Sequence, residues 1–225
     1  MSERYSPPAI WTPRESGGKF ASINRPTAGP THDKELPVGD HPLQLYSLAT
    51  PNGVKVTVLL EELLALGHTG AEYDAWLINI EAGDQFGSGF VAINPNSKVP
   101  AIIDGDVTVF DSNAILLYLA EKTGRFLPSP SDKSRGELLS WLMFVASGIG
   151  PYSGQAVHFR HFAPGENPYA RERYAHEARR HWQIIEDRLA ANRYMLGEDY
   201  TIVDMSVWGW ATRIPFMMGD DAMAG

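Results

Sequence analysis

Residues 45–67 contain a turn whose residue types could bind an anion. The segment LYSLATPNGVKVTVLLEELLALG passes from an apolar strand pattern through Thr50-Pro51-Asn52-Gly53 into an amphipathic helix pattern. A helix N-terminus has free N–H groups and a partial positive charge, so it attracts anions. The hydroxyl of Thr50 and the main-chain N–H groups of Asn52 and Gly53 are candidate donors to that anion. The alternative is an ordinary turn in which Asn52 only caps the helix.

Two further motifs present groups that could bind a ligand. Val99-Pro100 stands at the head of a short strand pattern, where a proline removes one donor from the sheet. Asp111-Ser112 opens a helix pattern, although both residue types also serve as plain N-caps that need no ligand. Lys98, just before the first of these motifs, is in most proteins simply a solvated lysine.

The elements that would position these motifs alternate between strands and helices. In chain order they are a strand at 42–48, a helix at 53–67, a strand at 71–80, a connection with at most a short helix at 81–98, the strand pair VPAIID and VTVF, and a helix at 111–124. In the first helix, helical spacing relates Val54, Val58, Leu59, Glu62 and Leu63. In the last, Ile115, Leu116 and Leu119 are predicted to face inward and Gly124 to end the helix.

From residue 133 onward only helical patterns are visible, at about 133–158, 168–192 and 202–212. Thr201-x-x-Asp204 is a capping box that starts the last of them. The predicted fold class is α/β, with a β-α-β-α-β-β-α domain at 42–126 followed by an all-helical domain at 131–225. Residues 1–41 are predicted to form an extended arm that lies across the body or a partner subunit. MMGDDAMAG at the end has no obvious closing helix, which leaves truncation open.

Composition excludes several classes of function. The chain has 225 residues, a formal net charge of −8 at pH 7 and no cysteine. The negative charge gives no electrostatic reason to bind nucleic acid or an anionic membrane, and the lack of cysteine excludes disulfides, thiolate metal sites and a cysteine nucleophile. No apolar run approaches the roughly 18 residues of a spanning helix, and the first residues have no signal-peptide core, so we expect a cytoplasmic protein. The histidines at 158, 161, 176 and 181 lack the spacing of zinc ligands, so we expect no metal and predict surface or interface positions.

Four segments, in the correct order, resemble the glutathione transferase family. They are LYSLATPNGVKV, NPNSKVPAIID, DSNAILLYLAEKTGRFLP and YTIVDMSVWGW, and the resemblance covers roughly residues 20–212. The turn at 50–53 and the segment FASINRPTAGPTHDKELPVGDHPLQLYS resemble the nu class and its bacterial disulfide-bond oxidoreductases. The resemblance implies a thioredoxin-like domain at 42–126, glutathione as cosubstrate, and a homodimer with the arm and the helical domain at its interface.

The resemblance also implies roles for the residues of the first two motifs. Thr50 and Asn52 would hold the glutathione sulfur, in place of the Tyr, Ser or Cys that many relatives use. Val99 would pair through its N–H and C=O with the cysteinyl backbone, like an added strand, beside a cis Pro100. Lys98 and Gln85 would reach the glycyl carboxylate or its surroundings.

Further roles concern the other end of glutathione and a second ligand. Ser112 and the free N–H groups beside it would take the γ-glutamyl carboxylate, while Asp111, shorter than the Glu frequent in this class, would take the ammonium. Asn24 and Arg173 match positions that help to bind a second glutathione, although such residues usually have no specific role. Tyr152 is a candidate for the substrate pocket.

Ionising a bound thiol needs more than one helix dipole. A free thiol titrates near pH 8.5, and lowering its pKa by about 2 units requires about 2.7 kcal/mol of preference for the thiolate. One exposed dipole contributes about 0.3–1 kcal/mol. One or two hydrogen bonds to the charged sulfur, at roughly 1.5–3 kcal/mol each, would supply the difference.

Three functions are compatible with these motifs. The first is glutathione-dependent disulfide reduction with two bound glutathiones, because a chain without cysteine cannot form a mixed disulfide with its substrate. The second is glutathione conjugation or β-aryl ether cleavage on an aromatic substrate. Aromatic residues of the helical domain could line its pocket, although they could as easily belong to the core. They are Trp141, Phe144, Tyr152, Phe159 and Phe162. The third is a non-enzymatic binding module, against which the three intact motifs argue. We favour disulfide reduction.

Overall fold

The computed structural model describes residues 6, 9–10, 23, 29–128 and 131–219. Its strands are β1 (Leu43–Ser47), β2 (Tyr73–Leu77), β3 (Ala101–Asp104) and β4 (Val107–Phe110). Its helices are α1 (Pro51–Ala65), α2 (Ser88–Ile93), α3 (Ser112–Thr123), α4 (Asp132–Phe144), α5 (Gly150–Val157), α6 (Pro168–Ala190), α7 (Ile202–Ala211) and α8 (Ile214–Met218). The order β-α-β-α-β-β-α, followed by helices, is the order that the sequence predicts.

The four strands form one mixed sheet in the order β2-β1-β3-β4. Strand β1 pairs parallel with β2 and antiparallel with β3, and β3 and β4 form the predicted hairpin, which turns through Gly105 at a φ of 58°. A parallel pair needs a crossover, which α1 supplies between β1 and β2. This arrangement confirms the predicted thioredoxin-like fold class.

The turn between β1 and α1 explains the glycine of the Thr-Pro-Asn-Gly sequence. Thr50 caps the helix and Pro51 occupies its first position, where a proline loses no hydrogen bond. A Cβ built on Gly53 would lie 1.9 Å from the carbonyl oxygen of Leu48, so no side chain fits there. Glycine is therefore required by the close approach of the strand end to the first helical turn.

The buried face of α1 matches the predicted spacing only in part, at Leu59 and Leu63. Its buried residues are Gly53, Lys55, Val56, Leu59, Leu60 and Leu63. Val54, Val58 and Glu62, which share the predicted spacing, are only half-buried. The difference arises because α1 contacts α3 and α7 as well as packing within the core, and this buries a face that includes a lysine. In α3, by contrast, Ile115, Leu116 and Leu119 are buried as predicted.

The helical region departs from the predicted boundaries in two places. Helix α4 continues through a π-helical segment at Val145–Ile149 into α5, and a second π-helical segment at His158–Phe162 follows. The predicted single helix at about 133–158 is therefore a run of four segments. The short helix α8 was not predicted. The predicted capping box is confirmed, since the Thr201 side chain accepts from the Val203 N–H and Asp204 accepts from the Thr201 N–H.

One core cluster joins the sheet region to the helical region. It extends from Leu43 and Leu59 to Leu138, Val203 and Met217. A second, smaller cluster lies around Tyr46, Ile78, Phe90 and Ala101. Helices α1 and α7 pack so closely that a Cβ on Gly209 would lie 2.3 Å from the Pro51 carbonyl oxygen.

The described part of the N-terminal segment lies against the loop that precedes α2. The Thr31 N–H donates to the Phe86 carbonyl at 2.9 Å, and the Gly89 N–H donates to the Lys34 carbonyl at 2.9 Å. Lys34 also pairs with Asp84 at 2.6 Å. Residues 31–34 therefore run along the body of the chain, while most of the predicted arm at 1–41 lies outside the described residues.

His181 is buried, so the prediction of a surface or interface position is wrong for this histidine. Its ring stacks between Phe144 and Tyr152, with centroid distances of 5.2 and 4.8 Å, and one ring nitrogen lies 2.7 Å from the Glu177 carbonyl oxygen. The apolar pattern could not indicate this, because histidine carries no hydropathy signal that distinguishes a stacked core ring from an exposed one.

Candidate functional site

Five of the eleven predicted site residues meet in one cavity of about 230 Å³. Its lining residues are Ile23, Thr50, Pro51, Asn52, Ile80, Gln85, Ser97, Lys98, Val99 and Trp210. The turn at the start of α1 forms one wall and the loop before β3 forms another. A larger groove of about 980 Å³, between the end of α3 and the loop before α7, carries none of the predicted site residues.

The Thr50 hydroxyl oxygen accepts a hydrogen bond within the turn, and that bond does not use the hydroxyl proton. The Gly53 N–H donates to Thr50 Oγ1 at 3.1 Å. The Gly53 N–H is therefore used for capping, and the prediction that it could donate to an anion is wrong. Since Oγ1 acts as an acceptor toward Gly53, the hydroxyl proton of Thr50 remains to be donated. The Asn52 N–H, at the second helical position, has no acceptor one turn earlier in its helix and remains a candidate donor.

Trp210 fixes the orientation of the Asn52 amide, and sequence reasoning missed it. The Trp210 indole N–H donates to Asn52 Oδ1 at 3.0 Å. An indole N–H can only donate, so the Asn52 oxygen must face Trp210 and the amide NH₂ is left to donate elsewhere. Trp210 stands in a motif that the sequence analysis interpreted only as a helix start, and nothing in its spacing relates it to residue 52.

Val99 and Pro100 are joined by a cis peptide bond, as the resemblance implies. The Asn94 side-chain NH₂ donates to the Lys98 carbonyl at 2.6 Å and so holds the loop before the strand. Lys98 Nζ donates to the Ile23 carbonyl at 3.1 Å. Partial desolvation lowers the pKa of Lys98, although the residue as a whole stays exposed.

Gln85 presents an unused acceptor in the lining of the cavity. Its Nε2 donates to the Ile80 carbonyl at 3.2 Å, which fixes the other amide atom as the oxygen. Gln85 Oε1 is buried and has no donor among the described residues. A buried acceptor without a partner is costly, so this atom is suited to a ligand N–H.

Asp111 and Ser112 begin α3 outside the lining of the cavity. Asp111 has a φ of 72°, and its Oδ1 accepts from the N–H groups of Asn113 and Ala114 at 2.9 and 3.2 Å. Those two N–H groups are therefore not free for a ligand, contrary to prediction. Ser112 is buried, and its Oγ accepts from Lys55 Nζ at 3.4 Å. Lys55 is the second residue that sequence reasoning missed.

Arg173 and Tyr152 lie apart from the cavity. Arg173 is on the exposed face of α6 and pairs with Glu177 at 3.8 Å. Tyr152, on α5, stacks on the buried His181. Asn24 lies outside the described residues. Tyr46, which precedes the turn on β1, donates its hydroxyl to the Pro37 carbonyl at 2.7 Å.

Over the described ranges, no group of three or more His, Asp or Glu side chains could hold a metal ion. Within the same part of the chain, no helix is both long enough and apolar enough to cross a membrane.

Comparison with known proteins identifies the family. The sequence profile of the glutathione S-transferase N-terminal domain matches residues 41–121. The chain belongs to the glutathione transferase family, as its motifs predict. It is 54% identical over 212 residues to the disulfide-bond oxidoreductase YghU of Escherichia coli (strain K12), with 92% of this chain and 73% of YghU covered.

Two similar proteins have been solved with glutathione bound. The glutathione transferase YghU of Streptococcus pneumoniae ATCC 700669, complexed with glutathione, has a TM-score of 0.91 and 44% identity over 98% of this chain and 89% of its own. A glutathione transferase of Burkholderia graminis has a TM-score of 0.73 and 39% identity over 81% of this chain and 77% of its own. The latter has two glutathione molecules bound per protein subunit.

Proposed function

We propose that the chain is a glutathione-dependent disulfide reductase whose turn at residues 50–53 stabilises the glutathione thiolate. The observation that carries this proposal is the paired orientation of two donors. The Thr50 hydroxyl accepts from Gly53 and the Asn52 amide oxygen accepts from Trp210, so both side chains keep their protons for a ligand in the cavity. Two such hydrogen bonds, with the helix dipole, reach the roughly 2.7 kcal/mol needed to lower a thiol pKa by about 2 units.

The reaction requires two glutathiones, because the sequence contains no cysteine. The thiolate of the first attacks one sulfur of the substrate disulfide, forms a mixed disulfide and releases one substrate thiolate. The thiolate of the second attacks the glutathione sulfur of that mixed disulfide, which yields glutathione disulfide and the second substrate thiolate. The two glutathiones thus lose two electrons, which the substrate disulfide gains. The name of the E. coli relative and the two ligands of the B. graminis relative support this sequence.

The rest of the first glutathione would lie along the cavity. Val99 would pair with its cysteinyl backbone, and the Gln85 oxygen, which lacks a donor among the described residues, would accept from a ligand N–H rather than bind a carboxylate. Lys98 would reach the glycyl carboxylate. Asp111 would take the γ-glutamyl ammonium and Ser112 the γ-glutamyl carboxylate.

Arg173 and Asn24 are proposed for the second glutathione, with Tyr152 facing the substrate. Because Arg173 and Tyr152 do not line the cavity in one chain, their roles depend on a neighbouring molecule or on a different arrangement of the ligand site. We also propose that the protein is cytoplasmic, belongs to the nu class and forms a homodimer.

The aromatic-substrate alternative gains no support from the cavity. Of the five aromatic residues considered for it, none lines the cavity. Trp141 contacts Phe144, Phe159 stacks on Tyr174, and Phe162 lies against Phe216. These side chains are half-buried and contact aromatic neighbours in the helical region.

The test is the dependence of disulfide reduction on glutathione concentration. We expect a second-order dependence in steady state with a model disulfide, and full activity after treatment of the protein with a cysteine-alkylating reagent. A first-order dependence would contradict the two-glutathione site. A Thr50→Val, Asn52→Ala double variant is expected to bind glutathione as the thiol, which ultraviolet difference absorbance detects. Thiolate absorbance equal to that of the parent would contradict the role of the turn.

A further inference from the structure

Lys55 is a buried lysine that the proposed reaction does not use. Its side chain is 1% exposed. It extends from the second turn of α1 between the first turn of α3 and helix α7. A Cβ on Gly209 of α7 would lie 2.8 Å from Lys55 Cγ, so the lysine stem is enclosed on that side as well.

Among the residues that the structure describes, the hydrogen-bond partners of the Lys55 ammonium are neutral. Nζ donates to Ser112 Oγ at 3.4 Å and to Asn113 Oδ1 at 3.5 Å, both at the long end of hydrogen bonding. None of the ion pairs among the described residues includes Lys55. Burial lowers the pKa of Lys55 to about 8, and the carboxylate of Asp111 only partly opposes that effect. A buried charge without a paired counter-charge is unfavourable for folding.

The donors and acceptors around Lys55 leave the Ser112 hydroxyl proton to be donated to a ligand. An ammonium has three donors and no acceptor, so Ser112 Oγ must accept from it. The Ser112 hydroxyl proton is then left to be donated on the other side. Asn113 Oδ1 accepts from Lys55 and also from the Ser206 hydroxyl, so its oxygen has two donors within the chain. The positive charge of Lys55 can therefore act on a ligand through the Ser112 hydroxyl.

We propose that Lys55 is a positioning residue for the γ-glutamyl carboxylate of glutathione, acting through Ser112. The ammonium supplies the positive charge that this carboxylate lacks in the rest of the site, and it directs the Ser112 hydroxyl toward the carboxylate. The inference rests on the proposed binding of glutathione. When Asp111 binds the ligand ammonium, the charges of Lys55, the γ-glutamyl carboxylate, the γ-glutamyl ammonium and Asp111 alternate in sign. Each charge is then stabilised by its neighbours in a weakly screened environment.

A purely structural role for Lys55 predicts a different outcome. If the lysine served folding, replacing it would destabilise the chain. If it serves the ligand, a methionine of similar shape removes an unpaired buried charge, so the chain becomes at least as stable while binding weakens. Stability and affinity therefore change in opposite directions only under the proposal.

The experiment compares two ligands that differ in one group. S-methylglutathione has no ionisable thiol and keeps the γ-glutamyl carboxylate, and γ-aminobutyryl-S-methylcysteinylglycine lacks only that carboxylate. Calorimetry at pH 7 is expected to show that Lys55→Met weakens binding of S-methylglutathione at least about tenfold, as expected for loss of a charge-assisted contact. Binding of the second ligand is expected to change less than about twofold, and the exposed Lys133→Met control less than about twofold for both ligands.

A second variant decides the question even if Lys55→Met fails to fold. Asn113→Asp keeps the shape of the side chain and places a carboxylate beside Lys55 in competition with the ligand. We expect it to fold, to raise the unfolding temperature, and to weaken S-methylglutathione selectively. Equal weakening of both ligands by the folded variants, or of neither, overturns the role of Lys55 while leaving the proposed function intact. Failure of the parent protein to bind S-methylglutathione would instead overturn the proposed function, and this inference with it.

Discussion

Thr50, Asn52 and Ser112 share one arrangement at the level of single residues. Each has a polar atom that accepts a hydrogen bond from the chain, from Gly53, Trp210 and Lys55 respectively. In each case the accepted bond fixes which atom is the acceptor and leaves a proton for a ligand. If these side chains bind an anion as we propose, the ligand need not reorient them, which reduces the ordering cost of binding.

The Trp210→Phe variant tests this arrangement at Asn52. It removes the indole N–H and keeps an aromatic ring, so the Asn52 amide is free to turn its oxygen toward the cavity. We expect the pKa of bound glutathione thiol to rise by about 1 unit, the effect of one weakened hydrogen bond to a charged sulfur. A titration of thiolate absorbance measures it. Trp208→Phe is the matched control, since Trp208 lies on the same helix and is half exposed. An equal shift in both variants would contradict the role of Trp210.

Lys55 gives a pH dependence whose sign follows from its lowered pKa. Below about pH 8 the lysine is protonated in both states. Between about 8 and its ordinary value of 10.5, the folded state has lost the proton that the unfolded state retains. The unfolded state then binds more protons, so the free energy of unfolding rises with pH over this interval. We expect the parent to gain stability relative to Lys55→Met between pH 8 and 10.5 in denaturant titrations. A difference that stays constant with pH would show that Lys55 titrates normally.

The sequence predicted part of the site but not Lys55 and Trp210, which donate hydrogen bonds to the predicted residues. Thr50, Asn52, Gln85, Lys98 and Val99 were predicted and do line one cavity. The turn at Thr50-Asn52 and the pair Val99-Pro100 can be recognised within a few residues, whereas Gln85 and Lys98 were predicted only from the resemblance to the family. Lys55 and Trp210 were missed because their partners lie 57 and 158 positions away. Nothing in one sequence links such positions, and a lysine is by default expected on the surface.

At the scale of elements, the contact between α1 and α7 joins the cavity to the helical region. It depends on Gly209, where a Cβ would lie 2.3 Å from the Pro51 carbonyl oxygen. Because that obstacle is backbone at the start of α1, it cannot move aside as a flexible side chain would. The position of the turn at residues 50–53 therefore depends on a glycine in another part of the chain.

Gly209→Ala is expected to destabilise the protein by about 1–3 kcal/mol, the usual range for overpacking. Chemical denaturation measures this change in the free energy of unfolding. Gly136→Ala on α4 is the matched control, because a Cβ there meets nothing within 4 Å. That substitution should be neutral or stabilising by up to about 1 kcal/mol, since alanine is the better helix former. Equal changes in the free energy of unfolding for the two substitutions would show that α1 and α7 can move apart at little cost.

Element types were largely predictable and element details were not. The alternation of strands and helices to residue 124 and the capping box at Thr201 follow from local pattern and turn chemistry. The π-helical segments at 145–149 and 158–162 do not, because an inserted residue in a helix depends on packing that periodicity cannot register. The buried face of α1 was also set by tertiary contacts with two other helices.

At the scale of the whole molecule, the main core does not divide at the boundary between the two predicted domains. One buried cluster includes Leu43 of the sheet and Met217 near the end of the helical region. A boundary without a break in the core favours joint unfolding. We expect a single transition in calorimetry, with the calorimetric enthalpy equal to the van't Hoff enthalpy. Two resolved transitions would contradict this expectation.

The contact of Trp210 and Gly209 with the turn at residues 50–53 limits how the two halves of such a protein can be recombined. A chimera that joins the sheet half of this chain to the helical half of a relative brings together surfaces shaped independently. It would orient the Asn52 amide as in this chain only if the incoming helix also supplied an indole and a glycine at those two positions. The helical half is thus an interchangeable part only among relatives that carry both.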